Sequence, residues 1–482
     1  MASWRYILAI LSLAGLLMAI ASSVPAQSQQ TRSHSSRPQR SNLRDRARQL
    51  IGIDRIERQI GDMTPIGGGI RAGHVEGNEG NYMPDINRPG LQGVMITAAN
   101  GPSSPNGHVT MTAEIIYGPH GLAPGIGDVF CYAARPWLGH AYLGVGTGVA
   151  PLATDRRLFN HSWVGGIGSN TVEILRRVDY VIDTHDVIMV VGVDNKSDSF
   201  VPPLLASAYN VIAVGSWTGN SSGGYTVIEG VGRCKPDIVG PAHKTSFATP
   251  GVTAVVARLL EAADRIQGCS DAAGAVRSEL IKAILLCGAA KTAKWLPQPG
   301  KPLDEHLGAG RVRFEESYQI LMAGPAAVEQ VHQRDGWHFG TLDLNARTEF
   351  LIETSGLRSS VVIALVWNRR ISSQKKSPPE ASKHRWMNTP RLADFDLRFI
   401  AIENTDNFNN RRQQTPPRES RNHIDNQEHL YMRRLKPGQY RIEISRKDSF
   451  DERWDYAIAW RIETPIARQR APRNQPSASD RP

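Results

Sequence analysis

A short polar segment, residues 244–250, and the long apolar run that follows it constrain the fold more than any other part of the chain. In this run, residues 252–266, apolar side chains recur every three or four positions, which is typical of a helix with a wide buried face. Pro250 is predicted to open this helix, because the first helical position needs no N–H. Ser246 would then lie beside unpaired N–H groups and the positive end of the helix dipole, which favour a developing oxyanion. From these residues alone, Ser246 is either a nucleophile or an ordinary helix cap.

The N-terminus predicts export. Arg5 precedes an apolar run over residues 6–21, and Val24-Pro-Ala26 supplies a small-residue cleavage site, so residues 1–26 read as a secretory signal peptide. No later segment is apolar enough to span a bilayer. The remaining length is sufficient for two domains, each with its own core. We therefore expect an exported, soluble protein that is secreted or resides in the periplasm or cell envelope.

The basic residues are concentrated at the chain ends. The net charge is +10, with six arginines between Arg32 and Arg48 and four more after Ile466. We expect residues 27–45 to form a disordered linker and residues 465–482 a disordered basic tail, because such low-complexity ends are usually solvated. No basic face with interleaved aromatic residues is apparent, so we expect no specific nucleic-acid partner, while association with an anionic envelope surface is compatible with the charge.

The cysteines leave two possibilities open. Cys131, Cys234, Cys269 and Cys287 could form two disulfides in an exported chain, with three connectivities. Cys287 lies within an apolar helical run, residues 281–290, and could equally be a buried free thiol. No CxxC spacing or Cys/His cluster indicates a metal site.

The segment that contains Ser246 has the pattern Thr-Ser-x-Ala-x-Pro, which resembles the serine motif of the subtilisin-like proteases. Further segments resemble landmarks of that family and occur in the family's order: residues 83–86, 106–116, 121–125, 187–195, 210–215 and 235–241. The resemblance covers residues 46–323. It implies an α/β peptidase domain with a subtilisin-like, doubly wound, mostly parallel sheet flanked by helices.

The same resemblance indicates which acidic residue takes the position of the family's catalytic acid. In the family, the catalytic acid precedes a short turn by nine residues. Met83-Pro-Asp-Ile86 matches that turn, and counting back nine from Asp85 gives Glu76. The alternative is that Glu76 is an exposed loop carboxylate. Glutamate in place of the usual aspartate is a departure that adds about 1.5 Å of reach, although either acid serves in other triads.

The resemblance assigns three further roles. His108 takes the position of the catalytic base, Ser246 that of the nucleophile and Asn195 that of the side chain that donates to the oxyanion. Two more departures from the family lie beside these residues, because Asp194 and Lys244 each replace a glycine. A lysine there could narrow the specificity pocket, strain the turn or attract acidic substrate side chains.

Residues 159–166 resemble the family's substrate-binding strand. An extended peptide would add to its edge through main-chain hydrogen bonds. The resemblance therefore makes Ser162, Trp163, Val164 and Lys244 candidate substrate-binding residues. The expected partner is a protein or peptide substrate, and the chain is expected to be a monomer. No cofactor is expected to be required; structural calcium is common in the family, but no Asp-rich loop indicates it here.

Residues 328–464 have a different sequence pattern from the residues before them. Strand-like runs, several with period-two alternation, are separated by polar loops, of which residues 370–391 and 404–426 form the two longest. This pattern predicts an all-β sandwich. Residues 392–398 and 435–440 resemble parts of the jelly-roll-like (pre-peptidase C-terminal) domains of secreted bacterial proteases. We favour a packing and stabilising role for this domain over substrate or wall binding.

Together these features predict a secreted serine endopeptidase with a Ser/His/Glu triad and an asparagine oxyanion donor. The competing prediction is a catalytically impaired member of the same fold that binds peptides or serves as a cell-envelope scaffold. Its support is the departures at Glu76, Asp194 and Lys244.

Overall fold

The computed structural model describes most of the chain between residues 37 and 463. The described ranges are residues 37–267, 272, 274–355, 358–372, 389–402 and 417–463, with side chains from residue 44 onward. The predicted signal peptide, the linker before residue 37 and the basic tail lie outside these ranges. The chain divides into two compact units, Met1–Ser41 and Asn42–Pro482, and the description below concerns the second.

The helices are α1 (Arg37–Ile51), α2 (Ile53–Ile60), α3 (Gly107–Ile116), α4 (Ala134–Leu138), α5 (Thr171–His185), α6 (Thr245–Gln267), α7 (Ser278–Gly288) and α8 (Phe314–Met322). The first nine strands are β1 (Arg71–Glu76), β2 (Met95–Ala98), β3 (Asp128–Ala133), β4 (Leu158–His161), β5 (Ile188–Gly192), β6 (Ile212–Gly215), β7 (Gly224–Tyr225), β8 (Cys234–Lys235) and β9 (Ile238–Val239). The remaining strands are β10 (Val331–His332), β11 (Gly336–Leu342), β12 (Arg347–Thr354), β13 (Ser359–Val366), β14 (Arg370–Ser372), β15 (Thr389–Arg391), β16 (Phe395–Ile402), β17 (Arg418–Ser420), β18 (Gln427–Leu435), β19 (Gly438–Arg446) and β20 (Trp454–Glu463).

Helices α1 and α2 follow each other with one residue between them. They are separated by Gly52, whose φ of 84° is left-handed and whose Cα faces Glu315 so closely that a Cβ would lie 2.8 Å from it. Helix α1 also overlaps residues 37–45 of the predicted linker. Its C-terminal end is held against the core by buried Ile51 and by Arg48, which pairs with acidic residues of α2.

A parallel sheet forms the centre of the first part. Within the described residues it has seven strands in the order β2-β3-β1-β4-β5-β6-β9, all paired in parallel. Strands β2 and β3 lie on one side of β1, and β4 lies on the other, so the winding direction changes at β1. In open α/β sheets the crevice at the carboxyl ends of the strands around such a point is where ligands bind.

Both faces of this sheet are buried. Along β5, Ile188 and Val190 point into one apolar cluster, whereas Met189 and Val191 point into another on the opposite face. Helix α6 covers the first face and is buried almost throughout from Ala248 to Ala263. Helix α5 packs on the second face. The predicted doubly wound α/β fold is therefore confirmed.

The second part consists of antiparallel strands in two stacked sheets. Within the described residues the sheet orders are β10-β12-β19-β16-β17 and β11-β20-β13-β18, and only the short β10 pairs in parallel. Three buried tryptophans, Trp367, Trp454 and Trp460, lie in the core between the sheets. The predicted β-sandwich is confirmed. Most of the two long polar loops predicted here lies outside the described residues.

The sandwich shares a core with the α/β part. In β13, Val361, Ile363 and Leu365 point into the sandwich, while the alternate residues point into the cluster that contains α7. Arg369 extends this interface, since its guanidinium binds the buried Asp179 and Glu229 of the α/β part. The second part is therefore packed against the first through both apolar and ionic contacts.

Three of the cysteines are buried free thiols: Cys131, Cys234 and Cys287. The fourth, Cys269, lies outside the described residues. The possibility of two disulfides is therefore wrong, since each of the three thiols lies in the core among apolar side chains. The alternative, that Cys287 is a buried free thiol, is confirmed. Among the described helices, none is both long and apolar enough to cross a membrane.

Candidate active site

Two elements bring a carboxylate and a histidine together at the carboxyl edge of the sheet. Glu76 is the last residue of β1, and His108 lies in the first turn of α3. The side chain of Asn106 caps this helix by accepting the N–H groups of His108 and Val109. The cap fixes the first turn so that His108 Nδ1 lies 3.3 Å from Glu76 Oε2.

The carboxylate of Glu76 is almost fully buried, with 4% of its side chain exposed. Its other oxygen, Oε1, lies 3.1 Å from His74 Nε2 and accepts the Thr112 hydroxyl at 3.1 Å. Burial alone would raise the pKa of Glu76, but the hydrogen bonds from His108 and His74 outweigh it and the pKa is lowered. Glu76 is therefore an ionised carboxylate with both oxygens bound.

His108 is half-buried and polarised by this contact. Its hydrogen bond to Glu76 raises the pKa of the imidazole, while partial burial and the positive charge of Lys244 oppose that effect. Because an ionised carboxylate only accepts, Nδ1 carries the proton, and this leaves Nε2 of neutral His108 as a base. The pair can thus accept a proton on the side of the imidazole that faces away from Glu76.

Asp85, the other acidic residue of this region, makes hydrogen bonds that hold its own turn. Its carboxylate accepts the N–H of Asn87 at 3.2 Å, and its own N–H donates to the Thr110 hydroxyl at 2.9 Å. The preceding carbonyl of Met83 accepts the N–H of Asn106. This turn therefore ties the loop after β1 to the start of α3, and the carboxylate in contact with His108 is that of Glu76.

Ser246 lies in the first turn of α6, which begins at Thr245 and not at Pro250 as the sequence predicted. Pro250 lies inside the helix, where it has no N–H to donate to the carbonyl four residues earlier, that of Ser246. The Ser162 hydroxyl donates to this carbonyl instead, at 3.0 Å. The helix can therefore include Pro250 because a side chain from the neighbouring strand end satisfies the freed acceptor.

The first turn of α6 lies beside α3. The ring of Phe247 is 5.7 Å from the imidazole of His108, centroid to centroid. Among the hydrogen bonds of the described residues, none joins the Ser246 hydroxyl to His108. Such bonds are often long in ligand-free structures and tighten when substrate binds.

Asn195 follows β5 and is exposed next to the same turn. Its Oδ1 accepts the N–H of Thr245 at 2.9 Å and lies 3.3 Å from the Thr245 hydroxyl. This assigns the amide orientation and leaves the NH₂ group of Asn195 as a donor. The carboxylate of Asp194 accepts the N–H of Asn195 at 2.7 Å, so it caps its own turn.

The candidate substrate residues lie at the end of β4. Ser162 is bound to the Ser246 carbonyl, and the indole N–H of Trp163 donates to the buried His161 at 3.2 Å. The side chain of Val164 is exposed. Lys244 is also exposed, and its carbonyl accepts the N–H groups of Phe247 and Ala248 in α6. The structure thus places Ser162 and Lys244 directly against the segment that contains Ser246.

Sequence reasoning missed three residues of this site: His74, Thr112 and Thr245. The signals were present in the spacing. His74 is two residues before Glu76 in a strand, so the two side chains share a face. Thr112 is four residues after His108 in a helix, so these two also share a face. Only the packing of α3 against β1 shows that both pairs converge on one carboxylate. Among the described residues, no group of three or more His, Cys, Asp or Glu side chains is placed to hold a metal ion.

No protein-family model matches the chain, and no curated relative matches it. Among solved structures it is similar to a lanthipeptide protease, with a TM-score of 0.41 and 16% identity over 58% of this chain and 96% of that one. It is also similar to fervidolysin from Fervidobacterium pennivorans, a keratinolytic enzyme related to subtilisin, with a TM-score of 0.36 and 17% identity over 74% of this chain and 64% of that one. For tripeptidyl peptidase 2 the TM-score is 0.33 at 12% identity, over 74% of this chain. The chain spans only 40% of that peptidase's own length. At these scores and identities the likeness assigns no activity to this chain.

Proposed function

We propose that this chain is an exported serine endopeptidase whose triad is Ser246, His108 and Glu76. The observation that supports it most is the contact between His108 Nδ1 and the buried carboxylate of Glu76, 3.3 Å long. It lies at the carboxyl edge of the sheet, next to the helix turn that holds Ser246. An imidazole held in this way is the arrangement that activates a serine hydroxyl.

In the proposed reaction, Ser246 Oγ attacks the scissile carbonyl carbon while its proton passes to His108 Nε2. The peptide C–N bond then breaks, and His108 gives the proton to the leaving amine. Water attacks the resulting ester and passes a proton to His108, which returns it to Ser246. Glu76 keeps the imidazole in the Nδ1–H tautomer and stabilises its positive charge in both halves of the cycle.

The oxyanion formed at each attack needs donors that are fixed before the reaction. The NH₂ group of Asn195 is one candidate, since Thr245 holds the oxygen of the same amide. The backbone N–H of Ser246, in the first turn of α6, is the other. We propose that an extended peptide binds along residues 162–164 through main-chain hydrogen bonds and presents its carbonyl to these donors.

The alternative, an impaired protease that acts as a peptide-binding or envelope scaffold, was based on the three departures from the family pattern. Their surroundings favour the enzyme. Glu76 contacts the imidazole, the carboxylate of Asp194 is occupied by the N–H of Asn195, and the side chain of Lys244 is exposed to solvent. We also propose that residues 1–26 direct export and that the mature chain works as a monomer on protein or peptide substrates.

The test is labelling with a fluorophosphonate, which reacts with activated serines, followed by mapping of the modified peptide. We expect an adduct on Ser246 in the wild-type protein and none in Ser246→Ala. His108→Ala should also abolish labelling, while Asp85→Asn, a matched change in the same loop region, should label normally. A folded wild-type protein that is never labelled would favour the binding scaffold.

A further inference from the structure

A second histidine lies behind the carboxylate of Glu76, and the mechanism above does not use it. His74 is fully buried in β1, and its side chain is on the same face of the strand as Glu76. Its Nε2 lies 3.1 Å from Glu76 Oε1, the carboxylate oxygen that does not contact His108. The two histidines therefore bind opposite oxygens of one carboxylate.

The hydrogen-bond pattern assigns the proton of this histidine. An ionised carboxylate only accepts, so His74 Nε2 must donate to Glu76. His74 Nδ1 lies 3.4 Å from the hydroxyl of Tyr117, just after α3. Burial raises the pKa of Tyr117, so its hydroxyl keeps the proton and can donate to Nδ1. His74 therefore directs an N–H from Nε2 at Glu76.

Thr112 holds the same carboxylate oxygen from the helix side. Its hydroxyl is 3.1 Å from Glu76 Oε1, and it lies one turn after His108 on the same face of α3. A glutamate side chain has one more rotatable bond than an aspartate, so its carboxylate needs more fixing to present one oxygen reliably. Oε1 has two buried polar partners, His74 Nε2 and the Thr112 hydroxyl, and this hydroxyl also lies 3.1 Å from His74 Nε2 and 3.0 Å from the Val109 carbonyl. This cluster of contacts supplies that fixing.

We infer that His74 is a positioning residue: together with Thr112 it locks Oε1 of Glu76 so that Oε2 faces His108 Nδ1. This is how the chain uses a glutamate where the family it resembles uses an aspartate. The role of His74 in turnover rests on the proposed peptidase function. Its effect on the Glu76–His108 contact is measurable without turnover.

If His74 only filled space, its loss would lower stability and leave His108 unchanged. If it positions Glu76, its loss lets the carboxylate turn away, and the pKa of His108 falls because the hydrogen bond that His108 donates to Glu76 is what raises it. Lys244, whose positive charge lowers the pKa of His108, is unchanged in these variants. Three further titratable groups near the pair stay neutral around pH 7, since burial raises the pKa of Cys131 and Tyr117 and lowers the pKa of His161 to about 3.

The test uses the full chain with Ser246→Ala, which prevents self-cleavage, and measures the pKa of His108 by NMR of labelled histidines. His74→Phe keeps a ring but removes the donor, and we expect the pKa of His108 to fall by about 1. His74→Gln, which returns an N–H near the same position, should restore part of it. His338→Phe removes a partly buried histidine in β11 and should leave the pKa of His108 unchanged.

Thr112→Val is the second variant, for the case that His74→Phe does not fold. It removes the other polar contact of Glu76 Oε1 at nearly equal side-chain volume. We expect it to lower the pKa of His108 as well. An unchanged pKa of His108 in folded His74→Phe or Thr112→Val overturns the inference. In the active chain, His74→Phe should lower kcat at least about 10-fold with little change in KM. The acid limb of the kcat/KM profile should move to lower pH, because His108 must be neutral to act as a base.

The two proposals fail separately. A wild-type protein that is not labelled by the fluorophosphonate, but whose His108 pKa depends on His74, would contradict the peptidase function and leave the positioning role intact. A labelled protein whose His108 pKa does not depend on His74 would support the peptidase function and contradict the positioning role.

Discussion

At the scale of single residues, the site depends on which acid and which amide face the reacting atoms. Glu76 and Asp85 lie in the same region of sequence, yet only Glu76 contacts His108, while Asp85 binds the N–H of Asn87. Asn195 has its oxygen occupied by Thr245 and its NH₂ group left as a donor. Both assignments can be tested by removing one functional group at a time.

We expect Glu76→Gln to lower kcat severely, by about 10⁴. The amide can present its NH₂ group to His108 and so favour the wrong tautomer, and it cannot stabilise the imidazolium. Glu76→Asp should also be poorly tolerated, since the shorter side chain no longer reaches. Asp85→Asn should leave the kinetics almost unchanged. Steady-state kinetics on a peptide substrate decide between them, and inactivity of Asp85→Asn with turnover in Glu76→Gln would reverse the assignment.

We expect Asn195→Ala to lower kcat by about 10²–10³ with little change in KM, because the donor acts mainly on the transition state. Asp194→Ala is the matched control, since it removes the neighbouring carboxylate without removing the donor. An effect on KM alone in Asn195→Ala would mean that this side chain binds substrate and does not stabilise the oxyanion.

At the scale of elements, the position of β1 decides where Glu76 lies. The turn before β1 contains three glycines, and its backbone N–H groups at Ile66, Gly67 and Gly68 all donate to Glu261 Oε2, at 2.6, 2.6 and 2.9 Å. Glu261 lies on α6, the helix that begins next to Ser246. One carboxylate therefore ties the start of the strand that bears the acid to the helix that bears the serine.

We expect Glu261→Ala to lower the free energy of unfolding by about 2–4 kcal/mol, because three backbone donors lose their acceptor. Glu349→Ala, which removes a surface carboxylate 3.4 Å from Arg441, should change the free energy of unfolding by less than about 0.5 kcal/mol. Urea unfolding followed by circular dichroism measures both. Equal small effects would show that the turn is held by other contacts.

The helices and strands also show which parts of the fold could be predicted from the sequence. Strand β5 and helix α6 were predictable, because their apolar periodicity reflects burial that the structure confirms. The start of α6 was not, since the rule that places proline at the first helical position ignores the Ser162 hydroxyl from another strand. The contacts of His74 and Thr112 with Glu76 needed the packing of α3 on β1, which no local pattern encodes.

At the scale of the whole molecule, the sandwich is part of the structure that supports the site. Helix α7 is buried along its entire length, and the outward-facing residues of β13 and β20 lie in the same apolar cluster. Arg369 adds buried contacts with Asp179 and Glu229. These contacts favour a packing role for the sandwich, as the sequence suggested.

We expect a chain truncated after Ala326 to be insoluble or unfolded, because the surface of α7 would be exposed and Asp179 would lose a buried cationic partner. A chain that lacks only residues 465–482 should fold and unfold like the full protein. Solubility, circular dichroism and fluorophosphonate labelling of the two truncations are the measurements. A folded, labelled protein without the sandwich would show that this part has a separate role.

Cys131, Cys234 and Cys287 are buried free thiols in the core. Burial raises the pKa of each, so none is a reactive thiolate in the native state. Each becomes accessible to an alkylating reagent when the core opens. The rate at which these thiols are alkylated therefore reports how often the core opens. In an oxidising compartment, each such opening would expose these thiols to oxidation or disulfide formation.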